Sequence, residues 1–355
     1  MPTQLLNVIN LDVALIANRN LPWEKLDGCQ IVVTGAGGFL GGYLIRTLLA
    51  LHTLDKVEHP IKVVAMVRNV ERATRRFADL QNDGNFELMH WDLNTIAVPD
   101  IGQTQYIIHA ASQASPRFYG SDPVGTLLPN AVGTAALLEA LSRSDDARGF
   151  LFVSSSEVYG AVTGDVSLTE SDYGVVDPAT VRACYAESKR VGETMCVAWH
   201  QQYALPTFIV RPFHTYGPGL QPEDGRVFAD FAFNVVRNEN IVINSDGKAR
   251  RAFCYVADAV AGFFSVLLKG EQSVAYNVAN PAGELSVLEL ADMLVGLFPE
   301  KRLRVEHRFN ADDKRYLSSA YSRLIPNVTR LLSLGWSADI SPSQGFKRMI
   351  EAHQP

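Results

Sequence analysis

Apolar residues in this chain gather in short unbroken blocks, separated by longer stretches in which they recur every three or four positions. The blocks at 31–33, 61–67, 86–89, Tyr106–His109, Gly149–Val153 and 207–210 are rich in Val, Ile and Phe and too short for core helices. They predict strands. The stretches between them, such as 40–51, predict helices. Strands apolar on both faces and joined by helical crossovers imply an α/β fold with a doubly wound parallel sheet.

Residues 1–27 stand apart from this alternation. Positions 5–17 have the period of a short amphipathic helix, and Leu21-Pro22-Trp23 reads as an apolar clip. The segment is expected to serve docking or oligomer contacts. Beyond Pro212 the rhythm changes to a Gly- and Pro-rich loop at 216–225, followed by shorter elements. The expected division is a dinucleotide-binding domain over 28–212 and 249–276, with a smaller C-terminal substrate-binding lobe over 213–248 and 277–355.

The chain has 355 residues, 47% hydrophobic and 20% charged, and a net charge of −6. The apolar fraction supports a real core and argues against long disorder. The acidic balance speaks against nucleic acid as a partner, because such proteins carry a basic excess. Cys29, Cys184, Cys196 and Cys254 show no metal or disulfide spacing and are expected to be free thiols, with no metal site. No window approaches the roughly 18 continuous apolar residues of a membrane span. The start lacks a basic n-region, and Asp12 interrupts its apolar run. A soluble, cytoplasmic protein without a membrane partner is the expectation.

Gly35, Gly38 and Gly41 form GxxGxxG between the first strand and the first helix. Such a turn lets the backbone approach a pyrophosphate, which then sits at the helix N-terminus. A Rossmann-like site for a dinucleotide follows, with Phe39, Leu40, Leu93, Ala110 and Ala111 as further cofactor contacts. An acidic residue ending the second strand would bind the ribose 2′-hydroxyl of NAD. Arg68 stands there instead. It can accept the 2′-phosphate of NADP, stack on the adenine or lie in solvent. Asp92 is a candidate for the adenine amino group, or else a turn cap.

Tyr185 and Lys189 form YxxxK on a predicted helix, where positions four apart share a face. A cation beside the phenol is expected to favour the phenolate and lower a pKa that otherwise lies near about 10. At the end of the fifth strand, Ser155 is placed to hold a sugar hydroxyl beside Tyr185. Glu157 is a carboxylate placed as a base or water positioner.

Together these motifs resemble the extended short-chain dehydrogenase/reductases that modify nucleotide sugars, the NAD-dependent epimerase/dehydratase family, over about 28–350. Residues 109–134, 211–231 and 245–260 are similar to the UDP-glucuronate decarboxylase group. The resemblance implies a Ser155–Tyr185–Lys189 triad and a Glu157 beside sugar C5 and C6. It also implies an Arg251 that grips substrate, anion contacts at Arg226 and Arg117, a lining role for Ser112, bound NAD and a homodimer. His214 replaces an Asn that contacts the diphosphate in that group. Ser155 replaces its Thr, and 316–325 departs from its C-terminal pattern.

The implied partner is a nucleotide-diphosphate sugar, oxidised transiently at C4. Decarboxylation of UDP-glucuronate to UDP-xylose is the expected outcome. A 4,6-dehydratase or a C4-epimerase is the alternative, and a catalytically dead regulatory module is the non-enzyme reading.

Overall fold

The computed structural model describes residues 1–93, 95, 97–162, 167–308 and 323–354. Helix α1 (Thr3–Ala17) leads into β1 (Gln30–Thr34), α2 (Phe39–Thr53), β2 (Lys62–Val67), α3 (Val70–Arg76) and β3 (Phe86–His90). Next come β4 (Tyr106–His109), α4 (Arg117–Ser121), α5 (Pro123–Ser142), β5 (Gly149–Val153) and β6 (Ser167–Leu168). Helix α6 (Ala183–Tyr203), β7 (Thr207–Pro212), β8 (His214–Tyr216), α7 (Val227–Val236) and β9 (Ile241–Ile243) follow. Then come β10 (Arg250–Tyr255), α8 (Val256–Lys269), β11 (Ala275–Val278), β12 (Glu284–Ser286) and α9 (Val287–Gly296). The chain closes with β13 (Val305–His307), β14 (Ile325–Pro326), α10 (Thr329–Leu332) and α11 (Pro342–Ala352).

Seven strands form one parallel sheet in the order β11-β7-β5-β4-β1-β2-β3. All six predicted strands lie in it. Strands β4 and β5 are buried at every position, as a sheet covered on both faces requires. The strand order reverses between β1 and β4, which opens a crevice at their carboxyl ends.

The lobe boundary differs from the expected one. Strand β10, which the sequence grouped with the main sheet, lies between β12 and β8 in a separate three-stranded sheet, with Phe253 opposite His214. Strand β11 pairs with β7 across the expected division at 276. Of the divergent stretch 316–325, residues 316–322 lie outside the described residues.

Helix α5 has the length and composition of a membrane-crossing helix, but half of its apolar window is buried in this molecule, and it packs along α6. Helix α1 packs on α2, α8 and α11. Leu5, Ile9, Val13 and Ile16 form its buried stripe, each contributing about 1.5–3 kcal/mol before ordering costs. The clip is Trp23, edge-on to Phe264 at 5.1 Å.

Asp12, which the sequence reading took as a polar interruption of α1, is fully buried. It accepts hydrogen bonds from Tyr43 (2.9 Å) and Tyr255 (2.8 Å), and Arg348 stands 3.5 Å away. Burial pushes its carboxyl up to about 6, a shift reinforced by Asp258 and opposed by the two tyrosines and Arg348. A carboxyl raised in the folded state stabilises most below its unfolded value of 3.8, and that stability is lost as pH rises through about 6. The loss is about 3 kcal/mol. Urea unfolding of wild type and Asp12→Asn across pH 4 to 8 checks this. The stability difference should move by that amount toward the variant, and a flat difference would refute it.

Candidate active site

The carboxyl ends of β1, β2, β4 and β5, together with loops of the lobe, line a cleft of about 1700 Å³. Gly35, Gly38, Phe39, Leu40, Gly41, Arg68, Asp92, Leu93, Ala110 and Ala111 all line it. So do Ser155, Glu157, Tyr185 and Lys189, and so do Ser112, Arg117, His214, Arg226 and Arg251.

The glycine turn is built for close approach. Gly35 sits at φ +66°, and a Cβ there would stand 2.7 Å from the Ala110 carbonyl oxygen. A Cβ on Gly41 would overlap the Gly35 carbonyl. Helix α2 starts behind Gly38 without a side-chain cap, so its first amide groups are left to a ligand. These features fit a dinucleotide pyrophosphate.

Beneath the turn, His109 Nε2 faces the Pro129 carbonyl at 3.1 Å and must therefore carry the proton. Its Nδ1 accepts from the Thr34 hydroxyl at 2.7 Å, and that hydroxyl accepts from the Ala111 amide. Burial pulls His109 down to about 3, with Lys189 adding to the shift, so the ring stays neutral and ties β1 to β4. At the end of β2, Arg68 is exposed. Asn69 caps α3 by accepting from the Arg72 amide at 2.8 Å, and Arg72 also lines the cleft. The Asp92 carbonyl accepts from the Thr95 hydroxyl at 2.8 Å.

Tyr185 lies in the first turn of α6, 5% exposed. Burial pushes its phenol up to about 12, although the neighbouring Ser155, Arg226 and Ser112 all act to lower it and Glu157 acts to raise it. Lys189 donates to the Val153 carbonyl at 2.6 Å and stands 4.8 Å over the Phe152 ring and 5.9 Å from the Tyr185 ring centre. Burial pulls its ammonium down to about 7, while Glu193 acts to raise it. The sequence expectation that Lys189 lowers the Tyr185 pKa is not met in the chain alone. Both groups are buried, and desolvation of the charged form is the leading cause of each shift. Ser155 Oγ accepts from the Glu157 amide at 3.2 Å and caps the short turn Ser156–Tyr159.

Two site residues escaped the sequence reading. Arg182 Nη2 pairs with Glu157 Oε2 at 3.1 Å, and its guanidinium lies 4.9 Å over the Tyr119 ring. Tyr119 in turn stacks on Tyr185, with centroids 5.1 Å apart and an interplanar angle of 15°. Arg182 is three positions before Tyr185, one helical turn away on the same face, a spacing that was readable. Tyr119 comes from α4, and nothing local in the sequence linked it to the motif.

Toward the lobe, Arg226 is held by Asp224 at 2.5 and 2.8 Å, so its charge is already partly answered. Arg117 stacks on its neighbour Phe118 at 4.6 Å. Arg251 donates to the Arg250 carbonyl at 2.6 Å. Burial, with Arg251 and Arg226 adding to it, holds His214 well below the usual imidazole range, so it is neutral. Ser112 Oγ, Gln113 Oε1, Arg182 Nε and His214 Nδ1 are buried with no hydrogen-bond partner, and all four residues line the cleft. Buried polar atoms left open together mark a site that a polar ligand completes.

The model of the NAD dependent epimerase/dehydratase family matches residues 31–279. UDP-glucuronic acid decarboxylase 2 of Arabidopsis thaliana is 33% identical over 329 residues, covering 92% of this chain and 68% of that protein. UDP-glucuronic acid decarboxylase 1 of Danio rerio is 33% identical over 335 residues, covering 92% and 73%. Among solved structures, the UDP-glucuronic acid 4-epimerase of Bacillus cereus, in complex with UDP-glucuronic acid and NAD, superposes with a TM-score of 0.74. It shares 22% identity, covering 91% of this chain and 98% of that one. The dTDP-glucose 4,6-dehydratase of Bacillus anthracis, in complex with NAD, gives 0.71 at 20% identity, covering 92% and 96%.

Proposed function

Since the chain belongs to the NAD dependent epimerase/dehydratase family, we propose that it modifies a nucleotide sugar by transient oxidation at C4, decarboxylating UDP-glucuronate to UDP-xylose. The observation that carries this reading is the meeting of Tyr185, Ser155 and Glu157 in one cleft behind a glycine turn, in a chain similar to UDP-glucuronic acid decarboxylases along 92% of its length. The glycine turn, Leu93, Ala110 and Ala111 are placed to hold NAD, whose chemistry when bound is reversible hydride transfer at sugar C4.

Tyr185 takes the C4 hydroxyl proton as the hydride leaves, Ser155 orients that hydroxyl, and Lys189 balances the phenolate. The 4-keto uronate is a β-keto acid. It loses its C6 carboxylate as CO2, and the electrons of the breaking C5–C6 bond are held as an enolate. A proton then reaches C5, and Tyr185 returns its proton to O4 as the hydride comes back. Glu157 is placed to govern the proton at C5. Arg251 and neutral His214 line the cleft where the diphosphate or carboxylate would bind.

The same Glu157 also favours a second reading, a 4,6-dehydratase in which it removes the C5 proton. Ser156 occupies the position where some dehydratases carry an acidic Asp. NMR of products from UDP-glucuronate, UDP-glucose, dTDP-glucose and GDP-mannose decides between them. A pentose nucleotide with CO2 supports decarboxylation, and a 4-keto-6-deoxy sugar from a neutral hexose would replace it.

The adenosine end draws no carboxylate from the end of β2, and Arg68 and Arg72 line it instead. NADP is therefore expected to bind within about tenfold of NAD, and Arg68→Glu to weaken NADP about tenfold or more while moving NAD by less than about threefold. Fluorescence titration of cofactor-free protein measures both. An unchanged NADP affinity would remove Arg68 from the site. A homodimer fits the exposed Val124 and Leu127 on α5 and Val191, Val197 and Tyr203 on α6. Light scattering on the eluting peak tests it.

A further inference from the structure

We propose that Arg182 is a positioning residue that locks Glu157 to the Tyr119–Tyr185 ring pair, so that the groups serving sugar C4 and C5 move as one unit. The inference rests on the reaction proposed above. A chain of contacts runs through four side chains. Tyr185 stacks on Tyr119 at 5.1 Å, the Arg182 guanidinium lies 4.9 Å over the other partner of that pair, and the same guanidinium holds Glu157 at 3.1 Å. Tyr119 is fixed from behind, 2% exposed, with its hydroxyl donating to the Ala114 carbonyl at 3.0 Å.

The arrangement is costly as a stability device. The Arg182 and Glu157 side chains are each 25% exposed, and an ion pair that wet contributes little to folding. Its value is geometric, because the planar guanidinium can stack and donate at once, which an ammonium cannot match. Arg182 is the N-cap residue of α6, the helix that carries Tyr185, so the two share one backbone reference. Glu157 comes from the turn after β5, outside that helix, and Arg182 joins its carboxylate to the start of α6. Its Nε is buried without a partner, so a donor remains for a second carboxylate oxygen. That oxygen belongs either to Glu157 after a small rotation or to the substrate, and the two cases separate in kinetics.

The test compares Arg182→Gln and Arg182→Lys with wild type in the full chain, each checked for an unchanged melting temperature. In ligand-free crystals of Arg182→Gln, the Glu157 carboxylate should leave its place by more than about 1 Å, a misplacement worth about 100-fold in rate. With UDP-glucuronate, kcat should fall about 100-fold with KM within about threefold, while bound nicotinamide is still reduced on mixing. Lysine should recover about tenfold of the loss. An unmoved Glu157 with wild-type kcat overturns the proposal. So does a KM that rises while kcat holds, since Arg182 would then bind substrate directly. The crystal readout does not depend on the reaction. A wild type that makes no pentose defeats the proposed function, and the position of Glu157 still decides the role of Arg182.

Discussion

Tyr185→Phe is expected to lower kcat with UDP-glucuronate by about 10³- to 10⁴-fold while leaving substrate affinity nearly unchanged. The replacement keeps the ring that stacks on Tyr119, so the packing of α4 against α6 survives. What disappears is the hydroxyl beside Ser155, which in the proposed reaction takes and returns the C4 proton. Burial pushes this phenol up to about 12, which makes it a poor base at neutral pH in the chain alone. Absorbance near 340 nm on mixing reports reduction of the bound nicotinamide directly. If reduction proceeds at the wild-type rate in the variant, Tyr185 is not the base and the whole assignment of the centre falls.

The second large effect lies behind the site. Arg211 on β7, 2% exposed, makes a bidentate pair with Glu193 on α6 at 2.9 and 2.7 Å. It also donates to Tyr159 at 3.1 Å and to the Glu170 carbonyl at 2.9 Å. The Tyr159 hydroxyl passes the chain on to Asn277 of β11 at 2.6 Å, and Ser154 donates to Glu193 at 2.5 Å. The Glu193 carboxylate beside it, with the Tyr159 hydroxyl, holds the Arg211 guanidinium above its usual range in spite of burial. Arg211→Met should cost about 3–5 kcal/mol, because it strands a buried carboxylate and several acceptors. The double variant Arg211→Met, Glu193→Leu should recover much of that loss, since a pair replaced by apolar groups is far cheaper than a broken one. Urea unfolding measures both. A loss below about 1 kcal/mol in the single variant would show that the network is not the brace it looks like. Because Ser154 precedes Ser155, partial loosening should also reach the catalytic turn.

The sheet was legible because its strands are continuous apolar runs, and the cleft because two spaced motifs mark it. What escaped has a physical reason in each case. Strand β11 reads Ala-Tyr-Asn-Val, and its Asn277 is a buried polar group satisfied by Leu168 and Asn327, so no apolar block announces it. Strand β10 has the right composition for the main sheet but pairs with β8 and β12, a choice made by tertiary partners. The Arg182–Tyr119 contact joins an α6 terminus to α4, a distance in sequence that no local period spans. The electrostatics of Tyr185 and Lys189 follow from burial, which spacing alone does not reveal.

Helix α1 has a consequence for how the chain reaches this state. Its buried stripe and Asp12 precede the rest of this fold in the sequence, and beside α2 and its Tyr43 the groups that receive them come from the last third of the chain. Tyr255 and Arg348 answer Asp12, and Arg19 just beyond the helix pairs with Asp258 and Asp339. Until those segments leave the ribosome, an apolar face of four large side chains has only α2 to rest on. Complete docking of α1 is therefore expected to wait for those segments. Until then the part of this face that α8 and α11 cover is expected to stay open, and capture by a chaperone or by a second nascent chain would compete with the native partner.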